Sequence, residues 1–586
     1  MSTLFSRIGD FLHQSRPWYK LPRLLAMPRL IQIRDELRAR NLHDTEEPSM
    51  AMTDGRVDAS LREGRTIDGS FNDLKCPHMG AAGRRFGRNV PLAETFPDTP
   101  NLMKPSPRVV SRELMTRQAF QPATVLNLLA ASWIQFMVHD WFVHKKGSPA
   151  DAVEVPMTAD DPWPAKPMKI VPTEVDPAPA GSTRPPAFVN ANSHWWDGSQ
   201  IYGCDAATAA AVRTGQHGKL RVNSNGRLPI DPATGLEVTG FTENVWIGLS
   251  MLHALFALEH NSICDELRTK FADKDDQWIF TRARLVNSAL MAKIHTVEWT
   301  PAIVPHPVVQ IAMNTNWNGI TGDLQDVFKF LDNNEILGGI LGSPAEHHAA
   351  PYSLTEEFVA VYRMHALLPD DYSFRSVLDD KVLETAELPA ISGRAGVRFL
   401  DRHGMADLFY SFGRSHPGAI RLHNFPRHLQ NLVRDDGEIL DLAAIDVYRD
   451  RERGVPRYNR FRRLLRLEPV TFETLTDNAV WREQIRSVYN NNIEAVDLMV
   501  GLYCEPLPDG FGFSETAFRI FVLMASRRLK SDRFFTDDFT AEIYTQEGLD
   551  WVKHNSMLTV LKRHFPGVSR ALEGVQNAFH PWKAVH

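Results

Sequence analysis

Two short stretches place residues capable of chemistry at spacings that would turn them toward a common point. In "QFMVHDWFVH", residues 135–144, Gln135 and His139 stand four apart and share a face on a helix. Asp140 is rotated about 100° away. One helix could aim an amide and an imidazole at one ligand and a carboxylate at another. A buried histidine satisfied by a neighbouring amide fits the same spacing. In "NSHWWDGSQIYG", Ser193, Asp197 and Ser199 offer oxygens at alternate positions, with the Trp195 carbonyl between them. Calcium takes roughly six to eight such oxygens, and Asp140 is spare to add another. An Asp-Gly-Ser turn would need no metal.

A third stretch, "EEFVAVYRMHALLPDDY", reads as an amphipathic helix that stops at Pro369, with Tyr362 and His365 on one face. A neutral imidazole there could be an axial ligand to haem iron. A tyrosine one turn away could give an electron to the oxidised group and become a phenoxyl radical. A core tyrosine and histidine with satisfied hydrogen bonds is the plainer alternative.

Helices must position these residues. Apolar residues recur at three- and four-residue steps from Gln121 to Val143. Similar patterns predict helices over 245–270, 278–304, 323–332, 355–367, 474–503 and 514–530. Strand-like runs are few, no repeat is present, and the class is mainly α. Residues 46–110 read as irregular but ordered, and the proline-rich 147–190 as a long loop of the kind that often serves function. Residues 17–44 form a basic amphipathic segment broken by Pro22 and Pro28, suited to packing on the domain surface or to a membrane interface.

At 586 residues the chain is long enough for three or four domains. A net charge of -6 and a pI near 6.4 argue against nucleic acid. No apolar run reaches the roughly 18 residues of a spanning helix, and the first residues lack a secretory signal. Cys76, Cys204, Cys264 and Cys504 are dispersed, as reduced thiols of an intracellular protein would be, either cytoplasmic or peripheral on a membrane surface.

Taken together with "LFALEHNSICDEL", "ARLVNSALMAKIHTVEW" and "RDRERGVPRYNRFR", the three stretches resemble the peroxidase–cyclooxygenase superfamily of haem proteins, in the same order along nearly the whole chain. The resemblance implies one large, mainly α catalytic domain over 46–586, after an amphipathic segment at 1–45. Within the superfamily, Val138 stands where mammalian peroxidases have a haem-linked acid. Thr242, Val245 and Trp246 stand where those enzymes have a distal Arg and the linking Glu and Met. Non-covalent haem b, one per chain, is therefore expected.

The segments "HWWDGSQIYG", "KIHTVEWT", "VYRMHALLPDDY" and "ASRRLKSDRFFT" are most similar to fatty-acid α-dioxygenases. That resemblance implies peroxide activation beside His139 and Gln135, with His365 as proximal iron ligand. A Tyr362 radical would take the α-hydrogen of a long-chain fatty acid, and O2 would add to give the 2-hydroperoxy acid. It assigns calcium to Asp140, Ser193, Trp195, Asp197 and Ser199. It assigns the substrate carboxylate to His295, Thr300 and Arg528, with Arg527 as the less favoured neighbour. On an α-helix His295 and Thr300 would lie about 140° apart, so that pairing rests on the resemblance. Asn424 is expected to hold the other ring nitrogen of His365, as a proximal histidine needs such a partner. His144 is expected to be structural, and the protein to be a monomer. A haem peroxidase using hydrogen peroxide and small reductants, or a non-enzymatic haem- or lipid-binding protein, are the competing readings.

Overall fold

Helices form where the apolar spacing is helical, and in several a side chain closes the first turn. In the computed structural model, residues 17–47, 49–164, 166–176, 181–319, 338–434 and 437–585 are described, and the helix expected over 323–332 lies outside them. The helices that build the site are α1 (Arg23–Arg40), α2 (Leu128–Trp141), α3 (Ile247–Lys270), α4 (Asp276–Ile294), α5 (Pro307–Asn318), α6 (Glu356–Val361), α7 (Leu442–Glu452), α8 (Leu498–Cys504) and α9 (Glu515–Lys530). Caps account for several starts. Asn127 accepts from Leu129 N at 3.1 Å, so α2 opens at Leu128 rather than near Gln121. Asp275, Thr355, Asp441 and Ser514 do the same for α4, α6, α7 and α9. Each such cap is worth about 1 kcal/mol.

Other expectations change in the folded chain. Residues 17–44 are not broken at Pro28, which lies inside a continuous α1. That helix buries Ala26, Leu30, Ile33 and Leu37 and packs on α5 and α9. The helix expected over 474–503 is three pieces, Phe472–Leu475, Ala479–Val488 and α8. The first break follows Leu475, where Thr476 is extended and Asn478 caps the next helix. The second follows Val488, where Asn490 and Asn491 have left-handed φ values of 50° and 58°, a conformation Asn tolerates better than most residues. Within 147–190, β1 (Val153–Val155) pairs antiparallel with β2 (Met168–Ile170). β3 (Asp371–Arg375) and β4 (Val382–Glu387) form a second antiparallel pair, directly after His365.

One contiguous core of buried apolar side chains runs from Trp18 to Val585 and contains the residues around the site, so the chain is a single mainly helical domain. The four cysteines are unpaired. No helix among the described residues is long and apolar enough to cross a membrane.

Candidate functional site

Helix α6 ends sooner than its sequence suggests. Tyr362 caps it with φ -88° and ψ 10°, Met364 is non-helical, and His365 begins a separate 3-10 turn. The cause is Arg363. Its buried guanidinium pairs with Asp450 at 3.2 Å and Asp446 at 3.6 Å, and Tyr503 donates to its backbone carbonyl at 2.7 Å. A buried charge demands partners, and that demand outweighs a helical hydrogen bond or two worth about 1 kcal/mol each.

The same rearrangement sets His365 Nδ1 2.9 Å from Asp446 Oδ2. Burial pushes Asp446 up, but His365 and Arg363 outweigh it and hold the carboxyl below its ordinary value. Asp446 is therefore an acceptor, the proton sits on Nδ1, and Nε2 keeps its lone pair for a metal. This corrects the assignment of Asn424. Its Oδ1 accepts from Arg117 and Gln121 N, and its Nδ2 donates to the Gln121 and Ala419 carbonyls, so its amide is fully used elsewhere. Asp446 lies just ahead of the "RDRERG" motif, and no spacing rule ties it to His365, because the two are joined only by folding.

On α2, His139 is buried and its ring centroid lies 4.5 Å from that of Phe241. Its Nδ1 has no hydrogen-bond partner among the described residues. Burial lowers its pKa to about 3, so the imidazole is neutral. Gln135 is held by Trp246, whose indole donates to Gln135 Oε1 at 2.8 Å, while its Nε2 donates to the Asn244 carbonyl at 3.3 Å. His144 faces Glu356 at 3.0 Å and stacks on Phe86, tying the end of α2 to the start of α6.

The second cluster gathers around a narrow cavity of about 10 Å³ whose lining includes Tyr362, His295, Thr300, Arg528, Trp196 and Phe358. Three of these come together through departures from simple helix geometry. After α4 the chain makes a π turn over His295–Trp299 before Thr300 resumes the α form. A π turn closes residue i onto i+5, so Thr300 returns over His295 and donates to its carbonyl at 2.9 Å. The angular objection to this pair is thereby removed. His295 Nδ1 accepts from the Trp133 indole at 3.3 Å, and burial drives its pKa well down. The neutral ring therefore carries its proton on Nε2.

Arg528 and Arg527 separate cleanly. Arg527 points away from the cavity and donates to the carbonyls of His347, Ala350, Pro351 and Ser353. Arg528 enters the cavity, and its Nε and Nη2 are buried with no partner among the described residues. A second, apolar groove of about 560 Å³ shares Met313, Asn316, Phe521 and Ala525 with the cavity and extends past Phe518 to Leu30 of α1.

On the other side of α2, Asp140 Oδ1 accepts from Ser199 N at 2.6 Å, which brings it to the 193–199 loop. Ser193 donates to Asp197 Oδ2 at 2.5 Å, and Trp195 N donates to Ser193 Oγ at 3.1 Å. Ser199 Oγ is buried without a partner among the described residues. Burial and the Asp197 charge raise Asp140 to about 7. Arg65 bridges Asp197 Oδ1 and Asp532 Oδ2, each at 2.9 Å. Gly69, with φ +75°, presses so closely that a Cβ would come within 2.3 Å of Ser193 Oγ. Among the described residues, no three His, Cys, Asp or Glu side chains gather as a metal cluster.

The animal haem peroxidase pattern matches residues 64–578. The chain belongs to the animal haem peroxidase family. Within that family it is 37% identical to Alpha-dioxygenase 1 of Arabidopsis thaliana, over 97% of this chain and 90% of that one. It is 38% identical to Alpha-dioxygenase PIOX of Oryza sativa subsp. japonica, over 89% and 86% of the two chains. The solved Oryza sativa fatty acid alpha-dioxygenase, a Tyr-to-Phe variant with palmitic acid, superposes with a TM-score of 0.93 at 35% identity. The match covers 100% of this chain and 98% of that one. The residues present suit the family's haem. His365 offers Nε2 as a ligand with Asp446 behind it, and His139 is a neutral, buried base with an unsatisfied ring nitrogen.

Proposed function

We propose that this haem peroxidase family member is a haem-dependent fatty-acid α-dioxygenase that forms 2-hydroperoxy fatty acids. The observation that carries this reading is the convergence of Tyr362, His295, Thr300 and Arg528 on one cavity that continues into an apolar groove. Haem held by His365, with His139 beside it to receive a peroxide, would supply the one-electron oxidising power. Burial raises the Tyr362 phenol pKa and keeps it protonated, so oxidation must remove both an electron and a proton. The phenoxyl oxygen then takes a hydrogen atom from the carbon next to the substrate carboxylate. O2 adds to the carbon radical, and the resulting peroxyl group recovers a hydrogen atom from Tyr362.

Regiochemistry is a matter of placement. The Arg528 fork offers a bidentate pair to the carboxylate, the His295 Nε2–H adds a donor, and the Thr300 hydroxyl closes the turn that carries His295. The acyl tail would follow the groove between α1, α5 and α9, with each buried CH2 contributing about 0.8 kcal/mol. An oxygen electrode with palmitate tests this. Uptake that depends on Tyr362 and is abolished in Tyr362→Phe supports the reading, and equal uptake by both forms overturns it.

We further propose calcium at Asp140, Ser193, Trp195, Asp197 and Ser199, because a dication would relieve the repulsion between two buried carboxylates. Elemental analysis of the purified protein, with Asp140→Ala as control, decides it. We also propose that the monomer meets lipid surfaces through Leu24 and Leu25 on α1, which are 90% and 43% exposed. Loss of vesicle co-sedimentation in the double Ser variant is the expected result, and unchanged co-sedimentation overturns the proposal.

A further inference from the structure

Two tryptophans that the mechanism has not used stand against its anchor. The Arg528 guanidinium carbon lies 4.1 Å from the ring centroids of both Trp141 and Trp196. The His295 imidazole meets the same two rings, perpendicular to Trp141 at 5.1 Å and tilted against Trp196 at 5.5 Å. Trp141 also stands edge-on to Tyr362 at 5.4 Å. Both indole N–H groups are buried with no hydrogen-bond partner among the described residues. Buried indoles usually find an acceptor, and an unpaired donor is destabilising. Phenylalanine would fill space without that cost, so the large π faces themselves are what the site retains.

Their chemistry explains why. A buried guanidinium must be stabilised, and a protein carboxylate would do so by occupying its N–H fork. Aromatic rings stabilise the cation without taking its N–H groups. The two indoles, 5.4 Å apart and at 71° to one another, form a corner against Arg528 and leave its Nε and Nη2 edge open. Each ring adjoins a carboxylate in the chain: Trp141 follows Asp140 on α2, and Trp196 precedes Asp197 in the 193–199 loop. Asp197 is joined through Arg65 to Asp532, four residues beyond Arg528.

We propose that Trp141, on α2, and Trp196, in the 193–199 loop, are positioning residues that hold Arg528 and His295 for a carboxylate. This rests on Arg528 being the carboxylate anchor. Binding of palmitate and of hexadecanol, which has the same chain without the carboxylate, is measured on holoenzyme of Arg528→Leu, Trp196→Leu, Trp141→Leu and Trp196→Phe. Trp196→Leu and Trp141→Leu are expected to weaken palmitate roughly tenfold or more while changing hexadecanol less than about twofold. Trp196→Phe, which keeps a π face, is expected to recover most of the loss. If Arg528→Leu weakens both ligands alike, the anchor reading falls. If Arg528→Leu is selective for palmitate but the Trp variants are not, the clamp is overturned. Should the Leu variants not fold, Trp196→Met, which fills the space without a π face, replaces them: an unchanged palmitate-to-hexadecanol ratio overturns the clamp and a loss of about threefold or more supports it.

Discussion

Helices α4 and α6 deliver the reacting face of the cavity, and both abandon the regular α turn where a site residue sits, by different means. In α4 the cause is local. Pro301 follows Thr300 and has no N–H for the bond to Val297 that an α turn would require. The chain widens into the π turn, and the Thr300 hydroxyl closes it on His295. In α6 the cause is remote. Arg363 is drawn out of register by Asp446 and Asp450 on α7 and by Tyr503 on α8. The first distortion keeps the helix axis and swings residues i and i+5 together. The second breaks the helix, so that Tyr362 faces the cavity while His365 turns to Asp446. A local device tunes a pair of neighbours, whereas a remote one can send neighbours to different tasks.

The sharpest way to break this contrast is Arg363→Met. Losing the cation leaves Asp450 and Asp446 buried without it, and the expected cost is about 3–5 kcal/mol in urea denaturation. The haem spectrum should change with it, because His365 loses its fixed orientation. A variant within about 1 kcal/mol of wild type would show that α6 breaks for a local reason after all.

A smaller effect is expected at the π turn. Thr300→Val removes the hydroxyl bond to the His295 carbonyl, worth about 1 kcal/mol. KM for palmitate should rise severalfold with a lesser change in kcat, and an unchanged KM would remove Thr300 from the account. The least effect, none, is expected from pH acting on His139. Its pKa is lowered to about 3 by burial, so the neutral form persists above that value. Peroxide-activation rates should then show no His139 ionisation between about pH 5 and 8. An inflection near 6.5 that disappears in His139→Gln would contradict this.

Much of the site was legible because its residues are close in sequence. A helix forces Gln135 and His139 to one face and Asp140 to another, and Asp140 does reach the 193–199 loop. What was not legible depends on partners far along the chain. Asn424 was expected behind His365 from its residue type, but Asp446 stands there because Arg363 pulls α7 and the proximal turn together. Trp141 and Trp196 gained no role from the motifs that contain them, and only folding sets both beside Arg528.

The sequence by itself determined the helical class, through short-range periodicity, and the family, through motifs in a fixed order, and from that resemblance it named His139, Tyr362 and His365 as candidates. Only the tertiary structure decided which of two adjacent arginines enters the cavity, as they point about 100° apart on α9. It also decided that His295 and Thr300 meet, and where α6 ends. Each of those outcomes is set by the burial of charge and the bonds it must then make, which no single segment contains.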